Sequence, residues 1–378
     1  MSASAGHVVL VGAGHANLLI VRGARRLRAA GLDVTLVDPD AFWYSGLATA
    51  VLGGAVHPGR DRVDPAPLAA RRGVRFVTGR VVAIDPESGR VEVDDGTVFE
   101  ATAVVLNVGS EVDPHGLPTH REEVVTAKPI RELVELHDRL CAGPMRPRVV
   151  IVGGGATALE AAGNLSAGPV ADAVAPHITV VAGRTPLAVV GDDALRDRML
   201  APLRRRGVDW REGPRALDVT DEGVVLDDGT VVPADHVIVA TGLRAASAVA
   251  ALGLGDGQGM PTNAALQHVD HPRVLGAGDA IRFDGDGLPR LGVFAVRQAP
   301  VLLDNLLALH DGGALRAYQP QSVWISAVDL GGRDAVVARG DRWFAGPVAF
   351  VVKRVLDEWF LRRHRVPMGA SGTDWSPR

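Results

Sequence analysis

The sequence predicts an α/β chain that uses one strand–glycine turn–helix module twice, the second inserted in the first, before a small α+β C-terminal segment. Three observations carry that prediction. His7-VVLVGAGHANLL-Ile20 and Arg148-VVIVGGGATALE-Ala161 each read as a short buried strand, a glycine turn and a helix. Each module then passes through an Asp-Asp-Gly-Thr-Val turn, at 94–98 and 227–231, to an apolar strand that ends in glycine. From Gly96 to Gly109 is 13 positions, and from Gly229 to Gly242 is also 13.

The elements follow in order. The runs 34–37 and 178–181 are nearly all apolar, as a sheet covered on both faces requires. Asp95-Gly96 and Asp228-Gly229 are hairpin turns, because glycine accepts a positive φ without steric cost. After the second module come a strand at 273–275 and a leucine-rich helix at 297–309. Both are assigned back to the first module. The expected domains are therefore 1–118 with 259–309, then 119–258, then a C-terminal segment 310–378. That segment reads as hairpin strands around 323–328 and 335–339, a helix, and a disordered tail from Pro367.

Composition bounds what such a chain can do. Its 378 residues suffice for two or three packed domains, and 47% hydrophobic with 22% charged residues is globular. A net charge of −4 argues against a general nucleic-acid binder, which needs a basic surface. Lys128 and Lys353 are the only lysines among 40 basic residues, which reads as coding bias. Cys141 is the single cysteine, so no intramolecular disulfide can form. No leader and no run of about 18 uncharged apolar residues is evident. The expectation is a cytoplasmic protein, at most resting on the inner face of a membrane.

The glycine turns carry the chemistry. Gly12 and Gly14 make a tight turn whose backbone N–H groups can approach a pyrophosphate at a helix N-terminus. Asn17 stands at the third fingerprint position, where glycine or alanine is usual, so a looser helix–strand contact is expected there. Asp38 ends the second strand, where a dinucleotide site wants an acid for the ribose hydroxyls. Together these describe a Rossmann-type site. The second turn, Gly153-Gly154-Gly155, keeps an accepted Ala158, but no acid follows its second strand. Arg184 stands there instead. It either accommodates the 2′-phosphate of NADPH or is a solvated loop charge. Gly276-Ala277-Gly278-Asp279 is a third signal: Asp279 either meets a sugar alcohol or caps the following turn. The histidines show no HxxxH or HExxH spacing, so no metal site is expected.

In the C-terminal helix, Val348, Val351, Val352, Val355, Leu356, Trp359 and Phe360 share one face. Lys353, Arg354, Arg362, Arg363 and Arg365 supply charge beside it. Two readings stand: an interfacial helix on a membrane, or a helix packed on its own domain or across a homodimer.

Taken in order, these motifs resemble the two-dinucleotide-binding-domain flavoproteins, the FAD/NAD(P)-binding pyridine nucleotide-disulfide oxidoreductase superfamily. Further carriers are Trp43-Tyr-Ser-Gly46, Ala240-Thr-Gly242 and Gly292-Val-Phe-Ala-Val-Arg-Gln298. Within it the sequence is similar to type II NADH:quinone dehydrogenases and to their relatives fused to selenide water dikinases. The resemblance implies FAD held by Gly12, Gly14, His15, Asp38, Gly109, Asp279 and Gln298. It implies NADH or NADPH along Gly153, Gly155, Glu160, Arg184 and Gly242. The helix near Arg297 and Gln298 would point at the flavin and the acceptor. The implied activity is NAD(P)H oxidation through flavin, most readily with a quinone acceptor. Cys141 alone cannot run a redox disulfide, and Val293 and Arg297 replace glutamines of the quinone pocket. Reduction of a soluble carrier or small molecule, or a flavin-binding sensor, therefore stand as rivals.

Overall fold

The computed structural model describes residues 6–184, 186–187, 192–284 and 287–365. The expected tail from Pro367 lies outside them. Two five-stranded parallel sheets organise the chain. The first runs Val274–Gly276, Ala103–Leu106, Gly6–Val11, Leu32–Asp38, Arg75–Thr78. The second runs Val124–Thr126, His236–Val239, Arg148–Val152, His177–Gly183, Asp209–Glu212. Their central strands are apolar on both faces because helices cover both sides; Val8, Val9 and Leu10 are wholly buried. Each module carries a three-stranded antiparallel meander, built around the two Asp-Gly turns. The chain crosses between modules twice, and the two crossings, Ser110–Val112 and Leu243–Ala245, pair antiparallel.

The helix expected at 297–309 spans Gly292–Asp311. Pro300 suits a first turn, but here it lies well inside the helix. The start moves back because Ala295 packs into the core and Phe294 buries against the Trp324 ring. This helix is also long and apolar enough to cross a membrane by composition, yet half of it is buried. It packs on His15–Ala29 so closely that a Cβ on Gly23 would stand 2.7 Å from Leu303. Asn17 does not loosen the first turn. Its Nδ2 donates to the carbonyls of Gly12 at 2.7 Å, Val11 at 3.2 Å and Val105 at 3.3 Å, so hydrogen bonds replace the contact a glycine would make.

The C-terminal segment forms a three-stranded sheet, Ile325–Asp329, Ala335–Arg339 and Arg342–Ala345, followed by helix Pro347–His364. It bridges the two modules. The loop after the first of these strands lies on helix Ala156–Leu165 of the second module. A Cβ on Gly163 would stand 2.6 Å from the Leu330 carbonyl oxygen. Arg206 donates to the carbonyls of Leu330 at 2.6 Å and Gly331 at 3.1 Å across the same contact. Phe360 and Leu361 of the C-terminal helix belong to the core of the first module. Gly163→Ala should therefore destabilise the fold by about 1–3 kcal/mol through overpacking against backbone. Chemical denaturation measures this, and an unchanged midpoint would show that the contact is not close.

Candidate active site

Two cavities open at the carboxyl ends of the two sheets. One, of about 660 Å³, belongs to the first module and reaches the C-terminal helix. The other, of about 810 Å³, belongs to the second. Ala156, Thr157 and Leu243 line both, so the cavities meet at the N-terminus of helix Ala156–Leu165. Two ligands that fill them would touch there.

The first cavity begins at Asp38. Its carboxylate accepts from the Ala13 N–H at 2.6 Å and the Asp40 N–H at 2.9 Å. Burial raises its pKa, and those two N–H groups pull it back. Gly14 lies so close to Asn107 that a Cβ would stand 2.4 Å from Oδ1 and 2.5 Å from the backbone oxygen. His15 lines the cavity as a neutral imidazole, because burial pushes its pKa down to about 4. Further along, Lys128 Nζ donates to Ser110 Oγ at 2.8 Å and Asp279 at 3.2 Å, and Ser110 donates to Asp279 at 2.6 Å. Gly109, at φ 77°, lines the wall beside them. Gly292, at the N-terminus of Gly292–Asp311, closes this end with no side-chain cap, leaving first-turn N–H groups for an anionic ligand. A ribose acid, a glycine turn uncluttered by Cβ atoms, a ribityl-facing Asp279 and a positive helix end fit FAD.

Two expected residues fall outside this wall. Gln298 is wholly buried beneath it, where its Oε1 accepts from the Gly278 N–H at 2.7 Å. It supports the Asp279 turn rather than facing the cavity. Arg297 is exposed and lines a different surface hollow with Arg316 and Tyr318. The helix begins more than a turn before Arg297, so it is Gly292 that meets the cavity.

The second cavity is lined by Gly153, Gly154 and Gly155. Gly153 has φ 140°, and a Cβ there would stand 2.2 Å from the Ala240 oxygen. Gly242, at φ 130°, faces it across the cavity. At the far end Arg184 lies 3.0 Å from Asp227, and Arg215 lies 3.6 Å from the same carboxylate. Both arginines line the cavity.

Glu160 is not in the nucleotide cavity of its own module. One helical turn beyond Ala156, its side chain points into the first cavity. Its Oε1 accepts from the Asp329 N–H at 2.8 Å, and Lys353 Nζ is 4.0 Å away. Lys353 also donates to the Gly46 carbonyl at 2.7 Å and to Asp357 at 3.1 Å. Tyr44 donates to Asp357 at 3.0 Å. Burial lifts Glu160 to about 7, against the pull of Lys353. Burial also disfavours the Lys353 ammonium, but Glu160, Asp357 and Asp329 outweigh it and hold the lysine above its usual pKa. Burial is the larger cause, with Asp329 and Asp357 adding to it, so Glu160 keeps a proton near neutral pH.

Lys128 and Asp357 escaped the sequence reading, and Lys353, expected as a charge beside the apolar face of the last helix, is instead buried because it pairs with carboxylates inside. The signal for the lysines was present: the only two in the chain both line this cavity. An ammonium is compact and can give up its proton, whereas a guanidinium cannot.

Comparisons with known proteins agree with this geometry. The chain is 25% identical over 344 residues to ferroptosis suppressor protein 1 of Taeniopygia guttata, covering 87% of each. It is 31% identical over 294 residues to the ferredoxin–NAD(+) reductase component of the anthranilate 1,2-dioxygenase system of Burkholderia cepacia, covering 73% of this chain and 68% of that one. The sulfide:quinone oxidoreductase of Aquifex aeolicus superposes with a TM-score of 0.78 at 19% identity, covering 96% and 92%. The profile of the pyridine nucleotide-disulphide oxidoreductases matches residues 6–299, and the chain belongs to that family, with FAD and NAD(P)H as its cofactors.

Proposed function

We propose that this oxidoreductase passes electrons from NAD(P)H, with NADPH preferred, to a quinone at a membrane surface. The observation that carries the reading is the orientation of helix Pro347–His364. Two of its charged residues face inward: Lys353 and Asp357 are each 4% exposed. Four of its apolar residues face outward: Val348 is 69% exposed, Val351 54%, Val355 61% and Trp359 54%. An amphipathic helix on a water-facing surface has the opposite arrangement. Arg363 lies over the Trp359 ring at 4.2 Å, and Arg362 is close by, so basic groups border the apolar stripe. Such a stripe suits the headgroup boundary of a bilayer. Leu356 is exposed on this helix and also lines the flavin cavity. A lipid-soluble acceptor can thus enter from the bilayer, on the cytoplasmic face where NAD(P)H is available.

The two sequence readings of this helix are not exclusive. Phe360 and Leu361 bury in the core of the first module while the opposite face stays open. Deleting the helix would remove Lys353 and Asp357 from the site, so point changes on the stripe are the sounder test.

Bound FAD supplies a two-electron relay between the nicotinamide nucleotide and the acceptor. The chain supplies the rest. Glu160 presents a protonated carboxyl where the two cavities meet, Lys353 holds it in place, and the bilayer face excludes water. A second reading, reduction of a soluble carrier protein, draws on relatives such as putidaredoxin reductase of Pseudomonas putida, 26% identical over 372 residues. An apolar surface stripe favours the lipid-soluble acceptor.

Three outcomes are expected. Val351→Asp with Val355→Asp should abolish flotation with anionic vesicles and slow turnover with a long-chain quinone, leaving a short-chain quinone and flavin reduction unaffected. Apolar burial contributes about 25 cal/mol per Å², and each arginine on an anionic surface about 1 kcal/mol. If the unaltered chain ignores vesicles and quinones but reduces a ferredoxin, the second reading is correct. Arg184→Glu should raise the KM for NADPH about tenfold, a loss of ~1.4 kcal/mol, with little change for NADH; equal effects on both would place Arg184 away from the ribose. Quinone turnover should fall as pH rises through about 7, because Glu160 is a proton donor below its raised pKa and an anion above it. Glu160→Gln should remove that limb of the pH profile, and its survival would assign the limb to another group.

A further inference from the structure

A third cavity, of about 610 Å³, lies beneath the C-terminal helix, against the loop that follows Ile325–Asp329. Arg60, Arg333 and Arg354 line it, and so do Asp329, Asp357 and Glu358. Each carboxylate is already engaged. Asp329 lies 3.4 Å from Arg354, and its Oδ1 accepts from the Gly331 N–H at 2.9 Å. Asp357 accepts from Lys353 and Tyr44. Glu358 is shared by Arg60 at 3.2 Å and Arg362 at 2.9 Å. Arg333 makes no hydrogen bond or ion pair among the described residues. The wall therefore keeps a positive charge that the chain does not neutralise.

The loop adds backbone donors. Gly331, Gly332 and Arg333 line the cavity in succession, at φ 71°, 60° and 62°. Glycine takes that conformation freely, but an arginine rarely does, because its Cβ crowds the backbone. The Asp334 N–H returns to the Gly331 carbonyl at 3.1 Å. The N–H groups of Gly332 and Arg333 meet no acceptor among the described residues. Successive free N–H groups in a turn suit an anion.

Cavity and apolar stripe run side by side on one helix. Phe350, Arg354 and Glu358 line the cavity. Val351, Val355 and Trp359, each one residue further on, are exposed. Residues four apart stack into a row along a helix, so these are two neighbouring rows. An occupant with an anionic head in the cavity can lay an apolar body on the next row.

We propose that the third cavity receives the phosphate ester of an anionic glycerophospholipid, whose acyl chains lie along the valine–tryptophan row. The proposal rests on the membrane reading given above. A guanidinium donates to phosphate oxygens in a planar fork, and the unmatched charge here selects an anionic head over a zwitterionic one. Arg60 belongs to the first module, and Arg333 and Arg354 to the C-terminal segment. One lipid head would thus tie the segment to the first module where both meet the bilayer.

Calorimetric titration of the full chain with FAD bound tests this. The probes are dihexanoyl phosphatidylglycerol and dihexanoyl phosphatidylcholine, both as monomers in water, and glycerol 3-phosphate. The phosphatidylglycerol should bind about tenfold or more tighter than either of the others, because choline adds a cation beside the arginines and glycerol 3-phosphate has no chains. Arg333→Gly and Arg60→Gln should each weaken it about tenfold, the loss of one charge-assisted contact. Glycine accepts the backbone of residue 333, so the melting midpoint of Arg333→Gly should not fall. Val351→Asp with Val355→Asp should reduce phosphatidylglycerol binding to the level of glycerol 3-phosphate. Unchanged binding in both arginine variants overturns the cavity. Glycerol 3-phosphate binding as tightly as the lipid overturns the lipid source and makes the ligand a soluble phosphate ester. A chain that floats with anionic vesicles but binds no short probe overturns the cavity and leaves the membrane reading standing. A chain that binds the probes through its arginines but ignores vesicles overturns the membrane reading, and the lipid source with it.

Discussion

One buried ammonium organises this molecule. Lys353 stands among Glu160, Asp357 and Asp329, and it also holds the Gly46 carbonyl. Those partners come from three parts of the chain: Glu160 from the second module, Gly46 from the first, and Asp329 and Asp357 from the C-terminal segment. A charge that deep is tolerated only when it is paired and hydrogen-bonded. Removing the ammonium would leave buried carboxylates uncompensated at the junction of all three. The arrangement therefore fixes how the segment sits, and burial there leaves Glu160 holding a proton near neutral pH.

The nucleotide cavities obey a different constraint. They are made of backbone rather than side chains. At Gly14 and Gly153 any Cβ would meet a backbone oxygen at 2.5 Å or less. Such close packing leaves the helix N-termini facing open space, although in the first module Asn107 Oδ1 accepts from the Ala16 and Asn17 N–H groups. A few side chains stand at the ends: Asp38 in one cavity, and Arg184 and Arg215, clasped by Asp227, in the other. The ends of the cavities vary in chemistry while their middles are set by geometry.

The C-terminal helix shows how these two constraints combine. Its inward face must satisfy Glu160 and Tyr44, so it carries Lys353 and Asp357. Phe360, stacked on Tyr44 at 4.7 Å, anchors its far end. That leaves valines and a tryptophan for the outside, where no described residue covers them. Amphipathicity is preserved but inverted, which follows when the polar surroundings lie inside the protein and the apolar ones lie outside it.

The sequence by itself determined the two modules, their glycine turns and the acids and arginines at strand ends. These are local features: a strand, a turn and a helix within about twenty residues, repeated at matching spacing. It also placed an apolar face on the last helix, since periodicity is visible without a partner. It misplaced Glu160, Arg297, Gln298 and Lys353, and it passed over Lys128 and Asp357. Glu160 follows the second glycine turn by only five positions, yet one helical turn carries it past the nucleotide and into the neighbouring cavity. Lys128 meets Asp279 across 151 positions, and Lys353 meets Gly46 across 307. No window of sequence contains such pairs. Only the docking of the second module and the C-terminal segment on the first brings them together, and that docking decides which charges are buried, which carboxyl keeps its proton and which face of the last helix is left outside.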